Sequence, residues 1–269
     1  MADVRATFGG SMPEYYDGIM AAGQFDAFAQ DLVDRVPVKP AGGVLELACG
    51  TGVATRRLRG RLHEEVRLVA TDLSEPMLVF AQRKLAGLSG VEWRQADAGA
   101  LPFGDGEFGA LVCAFGVMFV PDRKKLFAEL RRVLKPGGQL VFNVWDGIDA
   151  NPHSRATNEV FMSLFPGDPE MRFDLPFAFN DQALLRSLLA GAGFGEVRIE
   201  PVTREVRFRS ARELAIGQLR GTPRGTLLEK RGLDLDAIIG KCAAALARVG
   251  GAQPFRCHAR ALAVEARAA

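Results

Sequence analysis

Three acidic residues, Glu46, Asp72 and Asp97, each stand at or near the end of an apolar run, and the first is followed closely by Gly50-Thr51-Gly52. Glycines so placed suggest a backbone that turns sharply or is approached closely by a ligand. A turn of the form GxGxxG sets a pyrophosphate on a helix N-terminus. Here the third small position is Thr55, so the match is imperfect. Glu46 also argues against phosphate, because a carboxylate repels a pyrophosphate and favours a cationic group.

The surrounding elements must bring these acids together. Residues 42–48 and 66–74 read as strands, the first leading into the glycine turn. Residues 91–98 form a third expected strand, and a fourth starts in the apolar run 109–120. Further strands are expected at 139–146, 196–208 and 256–267. Helical spacing separates them, with Ser74 as an N-cap before Pro76 and Asn180 as the cap of a helix that follows it. Alternating strands and helices predict an α/β fold, a parallel sheet covered on both faces, with the ligand outside the strand C-terminal ends. The three acids then converge on one crevice. Residues 1–40 are expected to form an N-terminal helical cap, and 210–254 a helical insert before the last strand. The central domain would comprise 41–209 and 255–269.

Two ligands suit such a crevice. S-adenosylmethionine carries a sulfonium and an ammonium and no phosphate, which suits Glu46; NAD is the alternative. Asp72 lies 22 residues beyond Gly50, near the spacing at which an acid meets ribose hydroxyls. Asp97 with Ala98 would read an adenine edge. Both ligands have a ribose and an adenine, so these two positions leave the choice open.

The totals exclude several classes. Net charge is +2 over 269 residues, so no global field demands nucleic acid or membrane. Residues 204–269 hold 13 basic and 6 acidic side chains, scattered as on solvated helix faces or as in a weakly basic lid for an anionic substrate. Cys49, Cys113, Cys242 and Cys257 form no CxxC pair, so neither a disulfide frame nor a zinc site is expected. No leader or membrane-spanning run is recognised, and the reading is a cytoplasmic protein with free thiols.

In order and spacing, "VLELACGTG", "ATDLSEPML", "WRQADAGALPFGDGEF" and "ELRRVLKPGGQLVFNVW" resemble a class I S-adenosylmethionine-dependent methyltransferase, within the group related to ubiquinone and menaquinone biosynthesis methyltransferases. The resemblance covers about residues 40–150 and is looser elsewhere. It implies a Rossmann-like, seven-stranded, mostly parallel sheet with helices on both faces. It also implies roles for matching residues. Glu46 would lie near the methionine ammonium, and Ala48, Gly50 and Gly52 would shape the turn beneath the methionine part. Asp72 would hold the ribose, Leu73 and Met77 would pack on the adenosine, and Asp97 and Ala98 would meet the adenine. Phe115 would lie by the methyl-transfer site. Two departures stand out: Ala48 replaces a usual glycine, tolerable where φ is not positive, and Gly109 replaces a frequent aspartate.

Around this core, Tyr16 is a candidate for closing over the methionine part. Val117, Met118, Phe177 and Arg224 are candidates for the acceptor pocket, and His153 for a general base. Phe161, Phe165, Phe173, Phe177 and Phe179 make the region beyond the fifth strand aromatic. The expected reaction is methyl transfer to O, N or C of a small, hydrophobic or aromatic acceptor, without a metal and with the protein chiefly positioning the reactants. The rivals are an NAD-dependent oxidoreductase and a methyltransferase-like binding module without turnover. The sequence leaves oligomeric state open.

Overall fold

The computed structural model describes residues 11–269. The first ten residues of the expected cap therefore lie outside the described residues. Seven strands form one sheet in the order β3-β2-β1-β4-β5-β7-β6. They are β1 (Val44–Leu47), β2 (Leu68–Asp72), β3 (Val91–Gln95), β4 (Phe108–Ala114), β5 (Leu134–Trp145), β6 (Phe194–Phe208) and β7 (Phe255–Ala268). β1 to β5 pair in parallel, whereas β7 is antiparallel to both β5 and β6.

The central strands read as nearly continuous apolar runs because both faces of the sheet are covered. Alternation along β1 assigns the sides: Val44 packs with Leu32, Val33 and Leu58 on one face, and Leu45 and Leu47 pack with Leu111 and Phe142 in the main core. Glu46 shares the pleat side of Val44. It is therefore presented towards α2 (Asp26–Asp34) and α3 (Val53–Arg61).

Helix ends follow local chemistry. In α4 (Glu75–Lys84), Ser74 Oγ accepts from the Met77 N–H, as its place before Pro76 implied. In α5 (Arg123–Val133), Asp122 caps Lys125, and Leu126, Phe127, Leu130 and Val133 form the buried stripe. The cap of α7 (Gln182–Gly191) is Asp181, whose carboxylate accepts from Ala183 and Leu184. Asn180, expected in that role, instead donates from its side chain to Asp146 at 3.5 Å. One residue of offset exchanges two capping side chains of similar propensity.

The chain from residue 12 to 34 is helical but not uniformly α. A first turn, α1 (Met12–Tyr15), runs into a π-helical stretch, Tyr16–Phe25, and then into α2. Residues nine apart on an α-helix are two and a half turns apart and face opposite ways. The wider π turn brings them to one side, and the rings of Tyr16 and Phe25 stack at 5.2 Å.

After β5 come α6 (Pro152–Leu164) and α7, and between β6 and β7 come α8 (Ala211–Arg220), α9 (Pro223–Lys230) and α10 (Leu235–Gly250). α10 packs on α8 and α6. A Cβ on Gly217 of α8 would lie 2.7 Å from Ile19 and 2.8 Å from Met20, so the absent side chain lets α8 seat directly on the π-helical stretch. Leu214, Leu219, Ile239 and Leu246 are fully buried in the main core, so the insert is not a detachable flap. Among the described residues no helix is long and apolar enough to cross a membrane.

Gly109 has a packing explanation. A Cβ there would lie 2.2 Å from the Ala41 carbonyl oxygen, so the segment entering β1 occupies the space an aspartate would need.

Candidate functional site

The C-terminal ends of β1 and β4 meet at a cavity of about 50 Å³ beneath the N-terminal cap; Asp72, at the end of β2, does not line it. Tyr16, Glu46, Ala48, Gly50 and Phe115 all line it. A larger open groove of about 530 Å³, lined by Arg123, Lys124, Leu184 and Leu188, holds none of the expected site residues.

The walls are strained where they meet. Ala48 has φ +50° and Phe115 has φ +55°. Side chains in this left-handed region cost roughly 1–2 kcal/mol each, and such strain gathers at functional sites. The condition set on Ala48, that φ not be positive, is thus not met: the chain keeps alanine at a glycine-type position.

The glycine turn divides its work in a way the spacing did not show. At Gly50, φ is +54° and a Cβ would meet nothing within 4 Å, so this position opens onto free space. At Gly52, φ is +80° and a Cβ would lie 2.7 Å from Leu85 Cδ1 and 3.4 Å from Ala81 Cβ. Gly52 therefore permits α3 to pack against α4, and it does not face the cavity.

Glu46 is 1% exposed, and its carboxylate oxygens make no well-formed hydrogen bond, Thr55 being the polar neighbour that bears on them. Burial pushes its carboxyl up to about 8, with Asp72 adding to the rise and Thr55 only partly offsetting it. Asp72 accepts from the Gly50 N–H and the Ser74 N–H, both at 2.8 Å. Burial raises its carboxyl too, against the pull of those backbone donors. The Tyr16 hydroxyl is raised by burial first, and then by the negative charges of Asp72 and Asp17.

The remaining expected residues fall in different places. Asp97 Oδ1 accepts from Gly99 in a tight turn, and Ala98 packs against the main core. Met77 is buried, and Leu73 offers its carbonyl to Gln95; neither lines the cavity. Val117 and Met118 are core residues. Phe177 packs on Trp145 at 5.9 Å, within a wall formed with Phe25, Phe28 and Phe115. Arg224 donates to the carbonyls of Met171 and Arg172 and lies over the Phe161 and Phe173 rings, so it joins α9 to the segment after α6. His153 is fully buried on α6, with both ring nitrogens unpartnered and the imidazole held down to about 4 by burial. It does not line the cavity, so the geometry gives the general-base reading no support.

Sequence reasoning missed Phe25, Ala29, Cys49, Thr51, Val53, Ala54 and Ala114, which also line the cavity. Thr51 and Ala54 lie within the glycine turn and the helix after it, a signal that was available. Phe25 had none, because α-helical spacing places it opposite Tyr16.

Residues 44–138 match the methyltransferase domain family. A demethylmenaquinone methyltransferase of Clavibacter sepedonicus is 43% identical over 178 residues, covering 62% of this chain and 71% of the relative. A ubiquinone/menaquinone biosynthesis C-methyltransferase of Escherichia coli is 30% identical over 212 residues, covering 73% of this chain and 84% of the relative. The chain belongs to the class I S-adenosylmethionine-dependent methyltransferases. Within them it falls in the ubiquinone/menaquinone biosynthesis methyltransferase-like group. The fold agrees: Haemonchus contortus phosphoethanolamine N-methyltransferase 2 with S-adenosyl-L-methionine superposes with TM-score 0.62 at 15% identity, over 98% of this chain and 58% of that one.

The cofactor of this methyltransferase is S-adenosylmethionine, and the residues around the cavity suit its cationic methionine part, though the cavity as it stands is too small to hold it. The buried Glu46 carboxyl, only partly compensated by Thr55, would be ionised by a cation beside it, and the open side of Gly50 leaves room there. For Asp72 the expected outcome is twofold. Asp72→Ala should weaken donor binding by about 2 kcal/mol, the worth of a hydrogen bond to a charged group. It should also lower the melting temperature, because the Gly50 and Ser74 N–H groups lose their acceptor. Calorimetric titration and a thermal melt measure the two; unchanged affinity would remove Asp72 from the ribose site.

Proposed function

We propose that this methyltransferase transfers the methyl group of S-adenosylmethionine to a ring carbon of a small, lipophilic, hydroxylated aromatic acceptor. The observation that carries the reading is the aromatic wall. Phe115 stacks on Trp145 with ring centroids 4.1 Å apart; Phe25 and Phe115 present their rings to the cavity, and Phe28 and Phe177 are buried behind them against Trp145. Flat apolar faces bind aromatic rings by offset and edge contacts. The names of the relatives, which concern ubiquinone and menaquinone, point the same way.

When bound, the donor supplies a methyl group on a sulfonium, whose thioether leaves readily. Glu46 would hold the ammonium, Asp72 the ribose hydroxyls, and Gly50 would leave space for the methionine part. Asp97 and Ala98 would meet the adenine edge, with Leu73 and Met77 near the adenosine. Tyr16 and Phe25 would close the cavity from above. A cavity of about 50 Å³ holds one or two waters, so donor entry needs this cap to move. A ring carbon activated by its own hydroxyl needs no nucleophile from the protein: its bond to the methyl group would form as the sulfur–methyl bond breaks, the thioether leaving and the displaced ring proton passing to water, with orientation in the pocket supporting the transfer. His153 is given no part, and no metal is invoked.

Residues 11–40 act as the cap, 41–209 and 255–269 as the donor-binding domain, and 210–254 as a packed lid over the acceptor. The basic surplus of residues 204–269 does not favour an anionic or nucleic-acid acceptor. Arg204, Arg207, Arg209, Arg220, Arg231, Arg260 and Arg267 are each ion-paired with an acid. The test is transfer of labelled methyl to a panel holding a short-chain reduced naphthoquinone, a catechol and phosphoethanolamine. Carbon-bound label on the naphthalenediol is the expected result; label on phosphoethanolamine alone would overturn the reading.

A further inference from the structure

Phe115 is the bulkiest residue of the described chain to hold a left-handed backbone conformation, at φ +55° beside Ala48 at +50° and Glu196 at +47°. It stands one residue past β4. Ala48 stands one residue past β1, and the two strands are parallel neighbours paired up to Leu47 and Cys113. Two strained residues thus lie side by side at the cavity edge. Gly116 makes their approach possible, since a Cβ there would lie 2.5 Å from Ala48 Cβ and 2.6 Å from Cys113 Sγ.

Something must hold Phe115 against relaxation into the ordinary regions of backbone space. Its N–H donates to Oδ1 of Asn143 at 2.9 Å. Asn143 is 3% exposed and lies on β5, where its Cα partner is Ala114, the residue just before Phe115. Two residues further along β5 is Trp145, on which the Phe115 ring stacks at 4.1 Å and 25°. One strand therefore supplies both the acceptor for the strained backbone and the surface for its ring. A buried polar side chain inside an apolar strand is costly unless it is hydrogen-bonded, and this bond uses it to fix the cavity wall.

We propose that Asn143 is a positioning residue: it locks Phe115 in the left-handed conformation against Trp145 and so sets the aromatic wall of the donor cavity. This rests on that cavity being the S-adenosylmethionine site. An apolar residue at 143 leaves the Phe115 N–H without an acceptor. The backbone then relaxes, and the ring leaves both Trp145 and the cavity.

The protein contains two tryptophans, Trp93 and Trp145. In a Trp93→Phe background Trp145 reports the stack by fluorescence, and S-adenosylhomocysteine serves as the probe ligand. Saturating probe should change Trp145 emission. Asn143→Leu should shift the probe-free emission and weaken probe binding about tenfold. Asn143→Asp, which keeps an oxygen acceptor, should restore both to within about twofold. Phe115→Leu should shift emission as Asn143→Leu does, and the double variant should add nothing further. A folded Asn143→Leu protein with parental emission and affinity overturns the proposal, as do leucine and aspartate variants equally impaired. Should Asn143→Leu not fold, the background protein still decides: calorimetric binding of the probe with silent Trp145 emission overturns the proposal. Failure of the probe to bind the background protein at all counts against the donor site itself, a result separate from any effect at Asn143.

Discussion

Gly50→Val is expected to weaken S-adenosylmethionine binding by at least about a hundredfold, or 2.8 kcal/mol, in a protein that still folds. Gly52→Val is expected to damage folding first. At Gly50 an added Cβ meets no protein atom within 4 Å, so a side chain there starts into the open space the donor needs. The stability cost there is the left-handed backbone, roughly 1–2 kcal/mol. At Gly52 the same backbone cost is joined by overpacking against Leu85 and Ala81, typically about 1–3 kcal/mol. Calorimetry with S-adenosylhomocysteine and thermal melts on the two variants separate the roles. A Gly50→Val protein that binds like the parent would show that the turn does not cradle the donor. A Gly52→Val protein with parental melting and no binding would return the donor contact to Gly52.

Donor affinity should rise steeply with pH between about 6 and 8 and fall again once the donor's own ammonium, an α-amino group, loses its proton. The Glu46 carboxyl is pushed up to about 8 by burial, so below that pH the donor-free protein holds it protonated. The donor's ammonium favours the carboxylate, so binding expels a proton. Affinity then gains up to about tenfold per pH unit, approaching a hundredfold across the window, and the gain ends above the donor-free value. Stability without donor has the opposite slope. The folded state keeps a proton that the unfolded chain has lost above its ordinary value near 4.5, so stability falls as pH rises from about 4.5 to about 8. Glu46→Gln should flatten both dependences and weaken binding most at high pH. Titrations in buffers of different ionisation enthalpy measure the released proton directly. A pH-independent affinity in the parent protein would mean that Glu46 is already ionised, or is not met by the ammonium.

The order of elements and the place of Glu46, Gly50 and Asp72 were legible because each rests on near neighbours; strand bounds were less so, since β5 begins at Leu134 rather than 139 and β3 ends at Gln95, short of Asp97. Apolar runs of strand length stop at polar residues, Ser74 caps the helix that begins beside it, and the glycines flank the turn they make. The same locality explains the single-residue error at the α7 cap, where Asn180 and Asp181 are both good caps and only the seating of the helix chooses between them. The family resemblance added the pairing of these positions with parts of the donor, and the relatives show that the chain belongs to that family.

The sequence by itself determined the sheet, the glycine turn and the acids at the strand ends, since hydrophobic period and turn chemistry act over a few residues. Tertiary structure alone decided which way the side chains point. Gly52 faces Leu85 rather than the cavity because α4 packs there. Phe25 joins Tyr16 because the cap winds as a π-helix beneath α8. His153 turns into the interior with α6, and Arg224 is taken up by carbonyls and rings of the segment after it. Asn143 reaches Phe115, 28 residues away, only through the register of β4 on β5. Each of these contacts joins segments distant in the chain, and its direction is set by close packing of whole elements, which no local pattern encodes.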